Sequence, residues 1–268
     1  MHQREDNLIQ AGLLKPQDRF WTVGKETKFL AKADLLLPIQ DDDTTETRRM
    51  LPGKEVLTVP MAVEVQSTTG PQIAGRCLYV GGNNVCSAQG LVWFLKDVWP
   101  LIRGKVPTAT LHVAGVVCCA VKEQEPNLHQ HIQQEGVSFL GRIHDLSPEY
   151  STAEIVVIPL LSGSGLKIKL IEALAHGRAI VATSIGIQGV AQQVAGIVEV
   201  AEEPQAFAKA VVDLLGNPDQ RVLREQAARQ LIADKYSPDA VYGPIVRRLE
   251  ELVTAKRCST PASLQYAR

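Results

Sequence analysis

Apolar and polar positions alternate along this chain in two different regimes. From about residue 75 onward, short runs that are apolar throughout are separated by longer stretches with apolar residues every three or four positions. The short runs lie at 76–81 (RCLYVG), 108–115 (TATLHVAG), 137–141 (VSFLG), 154–161 (EIVVIPLL), 179–183 (AIVAT) and 196–200 (GIVEV). Their length and β-branched content predict strands. Residues 88–103 carry a helical stripe at positions 91, 94, 95, 98 and 102. Further helices are predicted at 122–134, at 147–152 with Ser147 as cap, at 166–176 closed by Gly177, and at about 204–215, 218–235 and 239–256. The last of these carries Val241, Ile245, Leu249 and Leu252 as its apolar stripe and should return toward residues 1–60. Strands that are apolar on both faces, alternating with helices, predict a doubly wound, Rossmann-like parallel α/β sheet of about six strands.

The first seventy residues follow no such rhythm. Residues 25–37 begin helical and end in Leu35, Leu36 and Leu37, which read as a buried strand. Asp43 or Thr44 is placed to cap a short helix, and Pro52 with Gly53 makes a turn before a short strand at 56–59. Residues 64–74 are polar and turn-rich and read as a linker. The pattern divides the chain into a partial segment at 1–70, a sheet domain at 71–236, a returning helix at 237–257 and a tail at 258–268.

Composition narrows the function classes. The 268 residues are 45% hydrophobic and 21% charged, with a formal net charge of −1, values that argue against disorder and against a global field for nucleic acid. Aromatics at 5% disfavour a stacking platform for single strands. No apolar run approaches the ~20 residues of a membrane span, and the opening MHQREDNLIQ has no apolar stretch of the signal-peptide kind. The expected location is the cytoplasm, free or peripheral at the inner membrane face. Five cysteines, with Cys118 and Cys119 adjacent, make no disulfide or zinc framework, and His129 with His131 sits in a polar stretch.

In an open parallel sheet a ligand sits beyond the carboxyl ends of the strands. Three loops rich in small residues fall there: Gly81 to Asn84, Gly141 with Arg142, and Ser162 to Gly165. The last opens straight into a helix, so free N–H groups and the positive end of the dipole meet, which suits a phosphate. Lys167 and Lys169 add full charge where the dipole opposes cations, which points to an anion between them. The competing reading is a tight turn with two solvated lysines. Whether Lys167 or Lys169 reaches the anion depends on where the helix starts. Glu172, between Ile171 and Ala173, needs a partner; ribose hydroxyls would serve, and so would an intrahelical pair with Lys169. Neither G-x-G-x-x-G nor G-x-x-x-x-G-K-[ST] occurs at these loops.

The runs LYVGGNN, FLKDVWPLI, ATLHVAG, VSFLGRIHDL and VVIPLLSGSGLKIKLIEALAHGRAIVATSIGIQGV resemble, in this order, a glycosyltransferase of the group 1 type, also called family 4. The similarity covers about residues 76–235, the C-terminal, nucleotide-sugar-binding half of a GT-B fold. Ala33 with Asp34 and the run VPMAVE resemble the end of the N-terminal half and its crossing linker. The resemblance implies retaining transfer of a sugar from a nucleoside diphosphate sugar to a glycan, lipid or small-molecule acceptor, with no cofactor and no bound metal. It implies that Glu172 holds the ribose, that Gly165 and Leu166 with Lys167 or Lys169 hold the diphosphate, that Gly82 and Asn83 line the phosphate side, and that Arg142 and Ile143 flank the base. Many members carry a second glutamate eight residues before Glu172; here that place is Ser164, as in a branch with Gly-x-Gly and following basic residues. An acceptor domain of full size does not fit into residues 1–64, so a catalytic acceptor-side group is absent or comes from elsewhere, a partner chain included. A donor-domain module that binds a nucleotide sugar or a protein without turnover is the alternative. A GT-B sugar epimerase is disfavoured because its acidic and histidine residues have no counterpart.

Overall fold

The computed structural model describes residues 1–67, 70–117 and 134–259, with side chains to residue 254. The expected helix at 122–134, with His129 and His131, lies outside the described residues up to position 133, as do Cys118, Cys119 and the tail beyond residue 259.

Six parallel strands form the main sheet: β3 (Arg76–Val80), β4 (Thr110–Ala114), β5 (Val137–Gly141), β6 (Ile155–Ile158), β7 (Ala179–Ala182) and β8 (Val198–Val200). Their order is β5-β4-β3-β6-β7-β8. β1 (Leu35–Leu36) and β2 (Glu55–Val56) form a separate parallel pair. Side chains alternate across the main sheet and build two cores. On one face Tyr79, Leu111, Val113 and Val157 meet α4 (Val85–Trp93), α5 (Trp99–Lys105) and α8 (Pro204–Gly216), through Leu91, Phe94, Leu95, Val98, Ile102 and Phe207. On the other, Leu78, Val156, Ile158 and Ile180 meet α6 (Ser147–Thr152), α7 (Ile168–Ala175) and α9 (Pro218–Leu231). Every residue of β6 and β7 is buried, which is why these runs show no alternation in the sequence. The expected stripe at 91, 94, 95, 98 and 102 is wholly buried, with a π-helical turn at Phe94–Val98 inside it.

The chain lays down β3, β4 and β5 outward, then crosses back to place β6 beside β3. The helices that follow these two central neighbours, α4 and α7, lie on opposite faces. A crevice between their N-terminal ends is the geometric consequence. At Gly90, in α4, a Cβ would stand 2.2 Å from the Pro159 carbonyl oxygen at the end of β6. Alanine there gains at most ~1 kcal/mol of helix propensity. Pushing backbone from backbone costs on the order of 1–3 kcal/mol or more. Gly90→Ala is therefore expected to destabilise the fold, read as a lower urea midpoint at unchanged slope.

The N-terminal segment departs from several expectations. Only Leu35 and Leu36 form strand; Leu36 is buried but Leu37 is 45% exposed, because just one neighbouring strand covers the run. The pairing continues past β2, with Leu57 N–H donating to Leu36 O at 3.0 Å and Val59 N–H to Pro38 O at 2.7 Å. In α3 (Asp41–Met50) the cap is Gln40, not Asp43 or Thr44, and all three aspartates fall in the first turn, where they face the positive dipole end. Ser147 is the first residue of α6, not its cap; the Asp145 carboxylate accepts from Ser147 N–H at 2.9 Å. The 64–74 stretch is tied to the sheet domain: Gln66 N–H donates to Ala175 O and Ile73 N–H to Thr152 O, both at 2.9 Å. In α10 (Pro238–Ser259), Val241 and Ile245 are buried, Leu249 is exposed, and Arg248 bonds Glu55 at 2.8 and 3.1 Å.

Candidate active site

Two loops leave the carboxyl ends of β3 and β6 and enter α4 and α7. Asn84 caps α4, its Oδ1 accepting from Ser87 N–H at 2.9 Å. Gly82 and Asn83 precede it and are exposed. The β6 loop turns through Gly163 (φ +133°) and Gly165 (φ +77°), a conformation open to glycine at no steric cost. Lys167 then takes an extended conformation, so α7 begins at Ile168, two residues later than expected. Leu170 N–H is bonded back to Lys167 O at 2.9 Å, and the N–H groups of Ile168 and Lys169 precede it in the first turn.

With this helix start Lys167 lies in the loop and Lys169 on the helix. Lys167, in the loop and buried, donates from Nζ to Gly165 O at 2.6 Å and to Gln188 Oε1 at 3.3 Å. Lys169, on the helix, donates to Ser87 Oγ at 3.3 Å across the crevice and lies 5.3 Å above the Tyr79 ring. Among the described residues neither ammonium has a carboxylate within ion-pair reach. Burial pushes each down to about 8, and Lys167 adds to the depression of Lys169 by like charge. Ser164, Gly165 and Leu166 lead from the turn into Lys167, and α1 (His2–Gln10) reaches the same loop, with Asn7 Nδ2 donating to Gly163 O at 3.4 Å.

Glu172 does not pair with Lys169 within the helix. Its Oε2 accepts from the Tyr150 hydroxyl at 3.3 Å. Burial raises its carboxyl above the usual range, against the opposing effects of that hydroxyl and of Lys169. Tyr150 is fully buried and stacks on His176, ring centroids 4.5 Å apart and planes 10° apart. Burial, then the charge of Arg178, pushes His176 down to about 4, so it is neutral at pH 7. A pocket of about 240 Å³ opens beside Glu172, lined by Tyr150, His176, His144, Leu146 and Gln66. Ile143, with Leu146, packs against the core cluster that contains Tyr150, and Arg142 next to it in sequence is exposed. The expected residues thus fall into two groups: Ser164 to Lys169 against the start of α4, and Glu172 with the 142–147 loop. Ser87, Tyr79, Tyr150 and His176 are the contributors the sequence reading missed. No group of three His, Cys, Asp or Glu side chains able to hold a metal ion occurs among the described residues. No helix among them is long and apolar enough to cross a membrane.

The arrangement offers N–H groups at the start of α7, two lysines with no carboxylate in ion-pair reach among the described residues and, one helical turn on, a half-buried carboxylate beside a pocket. A profile of the family "Glycosyl transferases group 1" matches residues 74–217, more than half of the chain. An uncharacterised 44.6 kDa protein of a cps region in Klebsiella pneumoniae is 25% identical over 176 residues, which is 63% of this chain and 45% of that protein. The chain therefore spans less than half of the length of that curated relative. Among solved structures, a TarM variant from S. aureus, in complex with fondaparinux, α-GlcNAc-glycerol and UDP, superposes with a TM-score of 0.71 at 14% identity, over 87% of this chain and 48% of that one. Sucrose-phosphate synthase from Thermosynechococcus elongatus gives 0.70 at 17%, over 93% and 66%. Anabaena HepE in complex with UDP-glucose gives 0.68 at 12%, over 92% and 71%.

Proposed function

The chain belongs to the group 1 glycosyl transferases, and from that premise we propose that its crevice binds a nucleoside diphosphate sugar and that the protein transfers the sugar, with retention, to an acceptor hydroxyl. The observation that carries the reading is the convergence of Lys167 and Lys169, neither ion-paired among the described residues, on the N-terminal ends of α4 and α7. Leaving two ammonium groups desolvated is costly unless an anion completes the site.

In this reading the diphosphate lies between the 82–83 loop and residues 164–169. It accepts N–H bonds from the glycine turn and the start of α7 and full charge from both lysines. Glu172, held by Tyr150, accepts from the ribose hydroxyls, and Arg142 and Ile143 flank the base above the Tyr150–His176 stack. In transfer the bond between the sugar's anomeric carbon and the β-phosphate oxygen breaks, and a bond from that carbon to the acceptor oxygen forms. The acceptor's proton leaves to the diphosphate or to water. The growing charge on the leaving diphosphate is what the lysines and the helix ends stabilise, the largest contribution such a site can make. The donor needs no metal or cofactor in this scheme. UDP is the first nucleotide to test, because the TarM and HepE structures were solved with UDP or UDP-glucose. The acceptor, a glycan, lipid or small molecule, is held in part by groups outside this chain, from a longer polypeptide or a partner.

Calorimetric titration with UDP, GDP and ADP tests the donor reading. One of the three should bind at micromolar to low-millimolar concentration; no binding of any at millimolar concentration overturns it. Release of UDP from a UDP-sugar separates an enzyme from a binding module without turnover.

A further inference from the structure

Away from the crevice, residues 15–32 gather Lys15, Arg19, Lys25, Lys28 and Lys32 against Asp18 and Glu26, in a chain whose formal net charge is −1. The same stretch exposes large apolar side chains: Phe20 at 61%, Phe29 at 56% and Val23 at 41%. The aromatics form one cluster, with Phe20 edge-on to Trp21 at 5.3 Å and Trp21 edge-on to Phe29 at 6.0 Å. Lys25 lies 4.5 Å above the Phe20 ring and Lys32 lies 6.0 Å from the Phe29 ring. The cluster is held in place from behind. Glu5 Oε2 accepts from Phe20 N–H at 3.0 Å and from Trp21 N–H at 2.7 Å, and Arg19 pairs with Asp6 at 2.8 Å. α2 (Val23–Leu30) turns its one carboxylate inward: Glu26 is buried and accepts from His2 N–H at 2.7 Å.

We propose that this face, built on Phe20, Lys25, Lys28, Phe29 and Lys32, docks the protein on an anionic lipid bilayer. A dry protein interface depletes lysine, and covering this face with protein would strip water from three ammonium groups. A headgroup layer leaves them hydrated, supplies phosphates as counter-ions, and takes aromatic rings at the boundary between water and hydrocarbon. The near-neutral charge of the whole chain hides a local cationic surface of the kind that anionic leaflets attract. This inference does not rest on the donor reading, since the face lies outside the crevice and needs no nucleotide.

Co-sedimentation of the full chain with vesicles tests it. The wild type should bind phosphatidylcholine vesicles that contain phosphatidylglycerol, lose binding as salt rises, and bind pure phosphatidylcholine weakly. At ~1 kcal/mol per lysine near an anionic surface, the triple variant Lys25→Glu, Lys28→Glu, Lys32→Glu should lower partitioning about a hundredfold. Phe20→Ala with Phe29→Ala should lower it about tenfold. The affected side chains are exposed, so both variants should keep the wild-type melting temperature; the Lys→Gln triple serves in place of any variant that does not. Failure of the wild type to bind the anionic vesicles overturns the proposal. So does equal binding to both vesicle types, or full binding by the folded lysine variant. Lipid-free dimers that the phenylalanine variant dissolves would assign the face to a second copy instead and overturn it as well.

Discussion

Glu172→Ala is expected to weaken UDP binding by tenfold to a hundredfold, the equivalent of about 1.5–3 kcal/mol for hydrogen bonds to a charged group. The carboxylate lines the pocket that also touches the 144–147 loop, and the Tyr150 hydroxyl donates to it. Two controls separate recognition from folding. Glu172→Gln keeps an acceptor for Tyr150 but removes the charge, so it should lose UDP affinity while keeping its melting temperature. A carboxyl whose folded-state value is raised by burial contributes stability only at low pH and loses it as pH rises through the raised value. The charged carboxylate is therefore a cost to the fold, and removing that charge leaves the protein at least as stable. Tyr150→Phe removes a donor that favours the ionised form, so its affinity loss should be greatest at the acid end of the titration. Equal UDP affinity in wild type and Glu172→Ala would remove the ribose from Glu172.

How much of this was legible depends on what kind of information each feature carries. The strands and helices of residues 76–231 are written locally, because runs such as 155–158 and 179–182 are apolar on both faces and are stopped by small residues. The loop after β6 was legible for the same reason: glycines at 163 and 165 followed by a helical stripe mark a strand–turn–helix junction. The starting residue of α7 was not, since it depends on the positive φ values that the two glycines adopt, and that start is what brings both lysines to the crevice. Tyr150 reads as a core aromatic in a short helix; its role appears only when packing places it beside Glu172, 22 residues later. Ser87 likewise lies 82 residues from Lys169 in sequence. Leu37 misled because burial of an apolar run needs neighbours, and β1 has one strand beside it. The cationic face at 15–32 was lost in the average, since net charge sums over a surface that is not uniform.

The lysine pair carries the other large effect, and it shows as a dependence on pH. Lys167 and Lys169 are each pushed down to about 8 by burial. At pH 7 both are mainly charged, and at pH 9 both are mainly neutral. A diphosphate between them favours the ammonium forms, so binding near pH 8–9 should draw protons from solution, and UDP affinity should fall as pH rises. If the bound state requires both charges, the loss at pH 9 is about tenfold per lysine, or about a hundredfold together. Unfolding does not account for such a loss. A lysine whose folded-state value is depressed costs stability while charged, and its contribution improves as pH rises through the depressed value, so the free protein should hold its melting temperature where UDP binding weakens. Titration in two buffers of different ionisation enthalpy reads the proton uptake directly. Lys167→Ala with Lys169→Ala should abolish both the pH dependence and most of the UDP affinity, while leaving any binding of bare uridine nearly unchanged, because the nucleoside brings no charge for the lysines to meet. A UDP affinity that stays flat between pH 7 and pH 9 would mean that the diphosphate does not lie between these two side chains.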